Sequence, residues 1–362
     1  MNDEELIAET IKLAKRGLGL VNPNPMVGAV IVKDGEIISK GYHKFFGGPH
    51  AEIEAIKNAK KDLKGSTLYV NLEPCCHFGK TPPCVNALIN SGIKKVVIGD
   101  IDPNPVVKGK GIKFLNENGI EVIQGILTDE CRKLNVMYYK YMNTGLPYIS
   151  LKIAQTIDSK ISKKKGEKTN ITSIESIKVV HKLRSMYDAV LIGKNTAVID
   201  NPSLNVRLYK GRSPKRIILD ENLKINTNLR LLNEPFSKDT IIFTTSDYDH
   251  KIMEKLLERG VKIVITRKDK NGLIDLKYML NKFSKLNITS IFVEGGSKIF
   301  ASFLNQKLVD KIYLFIAPKI FIKGVNAFNG SCCNEELLKK MNLKFEKIKR
   351  MNDDLLIEVK LG

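Results

Sequence analysis

The chain must bring one histidine and two cysteines from separate segments to a single point. They lie in His50-Ala51-Glu52 and in Glu73-Pro74-Cys75-Cys76-His77-Phe78-Gly79-Lys80-Thr81-Pro82-Pro83-Cys84. One imidazole and two thiolates suit zinc, and three protein ligands leave a tetrahedral position open for water, as in catalytic rather than structural sites. The candidate ligands are therefore His50, Cys75 and Cys84. Glu52 stays free to move protons, the division of labour of zinc nucleobase deaminases. A metal-activated water attacks, and the glutamate carries its proton to a ring nitrogen and then to departing ammonia. The target is then an amino-substituted ring carbon beside a ring nitrogen. In mid-helix His50 and Glu52 would point roughly 200° apart, at about 100° per residue. They converge only if the site sits over a helix end, and Pro49 suits a helix N-terminus. A structural zinc is the alternative, with Cys76 or His77 as fourth ligand. Adjacent Cys75 and Cys76 point in different directions, which makes sharing one ion awkward.

At 362 residues the natural expectation is two domains. No apolar run reaches the length of a membrane span. The start, Met1-Asn2-Asp3-Glu4-Glu5, is acidic where a signal peptide needs positive charge. Six cysteines in so long a chain argue against a disulfide framework, and Cys131, Cys332 and Cys333 read as plain thiols. These features favour the cytoplasm. Residues 1–146 hold 19 Lys+Arg against 16 Asp+Glu, a net +3, and the remainder holds 40 against 23, a net +17. A basic half suits a phosphorylated small molecule, an anionic cofactor or nucleic acid, or is only a lysine-rich surface.

Apolar periodicity predicts an amphipathic helix over 4–17, a hairpin over 28–42 with an Asp34-Gly35 turn, and a helix over 50–60 carrying His50. A strand over 67–71 leads into the Cys75 loop. A helix over 83–91, a strand over 95–99, a helix over 108–118, a strand over 120–124 and a helix from 129 to about 142 follow. Loops are read at Asn22-Pro23-Asn24-Pro25 and Asp102-Pro103-Asn104-Pro105. Alternating strands and helices indicate an α/β sandwich with helices on both faces. Asn143-Thr144-Gly145-Leu146-Pro147 reads as the boundary. Beyond it come a strand over 148–154, a helix over 173–186, a strand over 187–193 and a long loop to about 214. Strands near 216–219, 240–245, 261–265 and 288–294 then alternate with helices over 249–258 and 275–285. A helix over 297–306 and antiparallel strands at 310–317 and 343–361 close the chain, and Lys163-Lys164-Lys165 reads as a solvated loop. No Gly-x-Gly-x-x-Gly fingerprint occurs. The segment Glu294-Gly295-Gly296-Ser297, between a strand and a helix, either lets a phosphate approach free backbone N–H groups or only turns the chain.

With these residues placed, the chain resembles the bifunctional riboflavin-biosynthesis deaminase–reductase family over nearly its whole length. In the first half the resemblance rests on Asn22–Pro25, Val27–Val30, His50–Glu52, Leu72–Cys75, Gly79–Cys84 and Asp102–Pro105. The Cys-x8-Cys spacing differs from the Cys-x2-Cys of nucleic-acid deaminases. In the second half it rests on Leu151–Ala154, Ile157-Asp158, Ile171–Ser173, Leu191–Gly193, Thr196, Asp200–Arg207 and Val293–Gly296.

The resemblance implies a cytidine-deaminase-like α/β/α sandwich over 1–146 and a dihydrofolate-reductase-like α/β domain over 147–362. It implies zinc and NADPH as cofactors. The implied reactions are deamination of 2,5-diamino-6-ribosylamino-4(3H)-pyrimidinone 5′-phosphate, then reduction of the ribosyl group to ribityl. By position, Asn24, His43, His77, Lys80, Asp102 and Asn104 are implied deaminase substrate contacts. Lys152, Asp200 and Glu294 are implied polar residues at the reductase centre, with Glu294 also facing substrate and Asp200 the cofactor. Ala154, Asn170, Thr196, Gly296 and Ser297 face the cofactor, and Lys168, Arg184, Leu204 and Arg207 face the substrate. A guanidinium forks onto phosphate, which suits Arg207 in the loop after Asp200. Cys76 departs from the family's usual Ser. Lys168 and Asn170 stand where Ser and Trp are common, and the chain has no Trp.

The implied partner is a phosphorylated pyrimidine, with no nucleic acid and no membrane, in a homodimer or homotetramer. A nucleic-acid-editing deaminase with a basic binding domain is the competing reading. It lacks an aromatic-and-basic cluster for base stacking, and salt-dependent binding to single strands would separate the two. A deaminase fused to a decayed reductase is a third reading, separated by NADPH oxidation.

Overall fold

The computed structural model describes residues 1–79, 82–328 and 341–361. Lys80, Cys332 and Cys333 lie outside the described residues. The chain divides into two compact units, Met1–Gly145 and Leu146–Gly362.

The first unit runs α1 (Asp3–Ala14), β1 (Gly28–Lys33), β2 (Glu36–Tyr42), α2 (Ala51–Asn58), β3 (Thr67–Leu72), α3 (Cys84–Asn90), β4 (Lys95–Asp100), α4 (Lys110–Glu117), β5 (Glu121–Gln124), α5 (Thr128–Leu134) and α6 (Val136–Thr144). Its sheet has the order β2-β1-β3-β4-β5. β1 is antiparallel to both neighbours, while β3, β4 and β5 are mutually parallel. Strand residues alternate between faces. Val30, Tyr69 and Val97 pack with Leu6, Ile7 and Ile11 of α1 and Cys131 of α5. Ala29, Ile31, Leu68, Val70, Val96 and Ile98 pack with Ala51, Ala55, Val85, Leu88 and Leu115 of α2, α3 and α4. The unit is an α/β/α sandwich, as the alternation predicted.

Three local expectations are corrected. α1 stops at Ala14 and the chain tightens into a 3-10 turn over Lys15–Gly17, because Gly17 passes so close to His43 that a Cβ would stand 2.6 Å from its carbonyl oxygen. The helix expected from 129 to about 142 is two, α5 and α6, broken at Asn135, whose side chain binds Met26 instead. His50 stands at the N-cap position of α2, one residue before the helix expected to include it, with extended backbone at φ −71° and ψ 163° and no side-chain capping bond, at the helix end that its convergence with Glu52 requires. The hairpin turn is as expected, with Asp34 and Gly35 at φ 52° and 79°.

The second unit runs β6 (Tyr148–Thr156), β7 (Lys160–Ser162), α7 (Ile174–Met186), β8 (Ala189–Gly193), α8 (Lys194–Asp200), β9 (Lys215–Leu219), β10 (Thr240–Thr244), α9 (His250–Glu258), β11 (Lys262–Ile265), α10 (Leu276–Leu280), β12 (Ser290–Gly295), α11 (Ser297–Asn305), β13 (Lys311–Ala317), β14 (Val325–Asn326), β15 (Leu343–Met351) and β16 (Asp354–Leu361). The main sheet has the order β11-β10-β9-β8-β12-β6-β13-β16-β15. It is parallel from β11 to β13 and ends in the antiparallel β15–β16 hairpin.

Helix α8 corrects the long loop expected after 193. Its seven residues include β-branched Thr196, Val198 and Ile199, which carry little helical propensity, and no side chain caps it. Ala197, buried at 1 %, anchors it. The helix expected over 275–285 is α10 followed by a 3-10 turn over Phe283–Leu286. The sheet order puts β12 between β6 and β8, so three strand ends from distant parts of the chain lie side by side. In parallel sheets ligands bind at such carboxyl ends where strand order reverses.

Candidate active sites

In the first unit β3 delivers Cys75 just past its end, α3 begins at Cys84, and His50 stands at the N-cap position of α2. His50 Nδ1 lies 3.2 Å from Cys84 Sγ and 3.4 Å from Cys75 Sγ, and the Cys84 backbone N–H donates to Cys75 Sγ at 3.4 Å. The three donor atoms all lie within 4.8 Å of one another. Cys76 turns away and packs against the apolar core beneath α2 and α3.

The charges fit a dication. Hydrogen bonds from Cys84 and His50 push the Cys75 thiol well down. The hydrogen bond to Cys75 holds a proton on His50, raising it to about 9. Cys84 is pushed up by its hydrogen bond to Cys75 and by burial. The protons shared among these atoms are those a divalent ion would displace. Glu52 is in the first turn of α2 and 3 % exposed. Burial pushes its carboxyl up to about 6, and it hydrogen-bonds to the Cys84 thiol.

Of the implied substrate residues, His43 lies against His50 and Asp102 within electrostatic reach of Cys75. His43 packs edge-on to His50, with ring centroids 5.5 Å apart. Its Nδ1 lies 2.9 Å from Pro49 O and its Nε2 lies 3.2 Å from Asn24 Nδ2. That network places the proton on Nδ1, and burial holds the imidazole below its ordinary pKa. Asp102, 6 % exposed, accepts from the Asn104 N–H at 2.8 Å and the Tyr138 hydroxyl at 2.9 Å, and burial pushes it up to about 6. Asn104 Oδ1 accepts from the Val106 N–H at 3.1 Å. His77 is half-buried, and its Nδ1 has no hydrogen-bond partner among the described residues.

In the second unit Lys152 on β6, Asp200 at the end of α8 and Glu294 on β12 interact electrostatically at the strand ends. Burial lowers the Lys152 amine and raises the Asp200 carboxyl. Burial also works against the Glu294 charge, but Arg184 overrides it and holds the carboxyl below its ordinary value. Arg184 and Glu294 form a two-pronged pair, 12 % and 7 % exposed, with Nη2 2.9 Å from Oε2. Thr196 Oγ1 stands 3.4 Å from where a Cβ on Gly296 would be, so the first turn of α8 approaches the residue before α11, which begins at Ser297. Ala154 is half-buried on β6, opposite Phe315. Lys168 and Asn170 are exposed. Lys168 Nζ lies 3.5 Å from Asp200 O, and Asn170 O accepts from Lys319 at 3.4 Å. Leu204 is buried at 3 %, whereas Arg207 is exposed and donates to Asn205 Oδ1 at 3.1 Å.

The cytidine and deoxycytidylate deaminase zinc-binding region matches residues 1–100, and the RibD C-terminal domain matches residues 147–357. The riboflavin biosynthesis protein RibD of Aquifex aeolicus is 41 % identical over 98 % of this chain and 97 % of its own length. This chain belongs to the RibD family.

RibD proteins combine a deaminase and a reductase of riboflavin biosynthesis, and this chain carries both halves. RibD of Actinobacillus pleuropneumoniae is 40 % identical over 99 % of this chain and 95 % of its own. Among solved structures, Acinetobacter baumannii RibD superposes with a TM-score of 0.89 at 33 % identity, covering 99 % of both chains. The diaminohydroxyphosphoribosylaminopyrimidine deaminase/5-amino-6-(5-phosphoribosylamino)uracil reductase of Thermotoga maritima superposes at 0.86 with 40 % identity, again over 99 % of both.

Sequence reasoning missed the residues that hold these RibD sites in shape. Asn71 and Asn135 clasp the loop after Asn24. Asn71 Oδ1 accepts from the Gly28 N–H at 2.8 Å, and Asn135 bonds both the N–H and the carbonyl of Met26 at 2.8 and 2.9 Å. His181, 1 % exposed, accepts the Arg207 backbone N–H at 3.1 Å. A lone Asn or His inside an apolar pattern carries no local signal of such a bond.

Proposed function

We propose that residues 1–146 form the deaminase domain and residues 147–362 the reductase domain of a two-step riboflavin-biosynthesis enzyme. The first step is hydrolytic deamination of 2,5-diamino-6-ribosylamino-4(3H)-pyrimidinone 5′-phosphate. The second is NADPH-dependent reduction of its ribosyl group, giving 5-amino-6-ribitylamino-uracil 5′-phosphate. The observation that carries the reading is the convergence of His50 Nδ1, Cys75 Sγ and Cys84 Sγ beside buried Glu52.

His50, Cys75 and Cys84 hold zinc, which when bound supplies water activation near neutral pH. Glu52, lifted to about 6 by burial, can hold or release a proton near neutrality. It passes one proton of the attacking water to the ring nitrogen and the second, from the hydroxyl so formed, to the amino group that leaves as ammonia. Asn24, His43, His77, Lys80, Asp102 and Asn104 orient the pyrimidine and its phosphoribosyl tail.

NADPH supplies the hydride of the second step. Ala154, Asn170, Thr196, Asp200, Gly296 and Ser297 bind it, the N-terminal turns of α8 and α11 suiting its anionic groups. Lys152, its amine lowered by burial, holds a proton that it can give as the ribose ring opens, with Asp200 and Glu294 balancing the charge. Lys168, Arg184, Leu204 and Arg207 face the substrate, with Arg207 on its phosphate.

The enzyme works in the cytoplasm as a homo-oligomer, without nucleic-acid or membrane partners. Edge strand β15 supports self-association, since Phe345 and Ile348 are 72 % and 60 % exposed on it. Among the described residues no helix is long and apolar enough to cross a membrane.

A coupled assay tests the whole reading. Ammonia release from the diaminopyrimidinone phosphate should be followed by one NADPH oxidised per ammonia. Ammonia without NADPH oxidation would leave only a deaminase, and neither signal would sink both halves.

A further inference from the structure

Glu73 belongs to the motif that delivers Cys75, yet its side chain turns to another loop. It is 3 % exposed and takes no part in the metal-ligand cluster. Its two oxygens accept four backbone N–H groups. Oε2 takes those of Asp102 at 3.2 Å and Gly109 at 2.9 Å, and Oε1 those of Gly111 at 3.0 Å and Ile112 at 3.3 Å. Three of these belong to the start of α4, whose N-cap, Gly109, offers no side chain. A helix start leaves such N–H groups unpaired and favours negative charge. Glu73 caps α4 from just past the end of β3. The fourth N–H belongs to Asp102, and the Asp102 carboxylate in turn fixes the Asn104 backbone.

The approach is close. A Cβ on Gly111 would stand 2.3 Å from Pro74 O and 3.1 Å from Glu73 Oε1. Glycine at 111 therefore lets α4 lie directly against the Glu73–Cys75 segment. One carboxylate thus ties the loop holding Asp102 and Asn104 to the strand end holding Cys75.

We propose that Glu73 is a positioning residue of the deaminase, setting the distance between the substrate-binding loop 102–104 and the metal-ligand segment at Cys75. The inference rests on the deaminase reading above. A carboxylate offers acceptor lone pairs to all four N–H groups, whereas an amide turns one end into a donor facing two of them. Glu73→Gln should release the loop without removing a metal ligand.

The test uses the full-length protein with zinc content, deaminase kcat and KM, and reductase activity on supplied deaminated substrate. In Glu73→Gln, deaminase KM should rise roughly ten- to a hundredfold, the factor expected when charge-assisted bonds are lost. Zinc content and reductase activity should stay at wild-type levels. Glu73→Asp, which keeps the charge, should recover part of the loss. Gly111→Ala presses α4 away from Pro74 while leaving the carboxylate in place. It should raise KM in the same way, and it keeps the test open if Glu73→Gln fails to fold. Unchanged KM in Glu73→Gln or in Gly111→Ala overturns the proposal. So does a loss of activity that tracks a loss of zinc, since Glu73 would then serve the metal segment alone. Absence of deamination in the wild type would instead refute the deaminase reading.

Discussion

Arg184 on α7 and Glu294 on β12 stand 110 residues apart in sequence and meet as a nearly buried, two-pronged ion pair. Breaking such a pair from one side leaves a charge in a dry site, at a cost of about 3–5 kcal/mol. Arg184→Ala should therefore destabilise the second unit by roughly that amount and abolish reduction. Urea unfolding followed by a probe in the second unit measures it, and deamination should continue. An unchanged midpoint would show that Glu294 finds another partner or a proton.

Zinc content separates the neighbouring cysteines. Cys84→Ser and Cys75→Ser should lose zinc and deamination, whereas Cys76→Ser should keep both, because Cys76 packs into the core. Chelation of the wild type should stop ammonia release and leave NADPH oxidation on the deaminated substrate intact. Metal analysis should find about one zinc per chain. Full zinc in Cys84→Ser would refute the ligand set.

Glu52→Gln should keep zinc and fold but slow deamination by about 10²–10⁴-fold, since the amide cannot carry the proton. Reduction by the same variant should be normal. Ammonia release near the wild-type rate would remove Glu52 from proton transfer.

Arg207→Ala should raise the reductase KM for substrate by about one to two decades, the value of a charge-assisted bond to phosphate. Its guanidinium is exposed and, among the described residues, hydrogen-bonds to Asn205, so a phosphate can reach it. The comparison is made at saturating NADPH. A loss confined to NADPH affinity would move Arg207 to the cofactor.

His181 should make the second unit acid-sensitive. Burial, with help from Arg184 and Arg207, lowers its pKa from 6.5 to about 4. Between these values the unfolded chain binds a proton that the folded chain refuses. Stability from this group is full above pH 6.5 and is lost as pH falls toward about 4. His181→Asn keeps an acceptor for the Arg207 N–H and removes the titration. Urea midpoints at about pH 7 and about pH 5 should differ less in the variant than in the wild type. An equal difference in both would exclude His181 as the source.

The sequence by itself determined the parts of this protein whose cause is local. Cys75 and Cys84 flank one loop, His50 and Glu52 share one helix start, and the Asp34-Gly35 turn needs only its own two residues. The alternation of strands with helices announced a sheet covered on both faces, and β1, β3 and β4 are near-continuous apolar runs buried on both sides. Tertiary structure decided what depends on residues far apart in the chain. Helix α8 has poor propensity and exists because its strand and Ala197 hold it in place. Asn135 breaks α5 from α6 to reach Met26, 109 residues away. Glu73 caps a helix 36 residues on, and Arg184 finds Glu294 only because β12 inserts between β6 and β8. A hydrogen bond or ion pair between distant residues leaves no period in the sequence, since its energy depends on a distance that only the folded backbone sets.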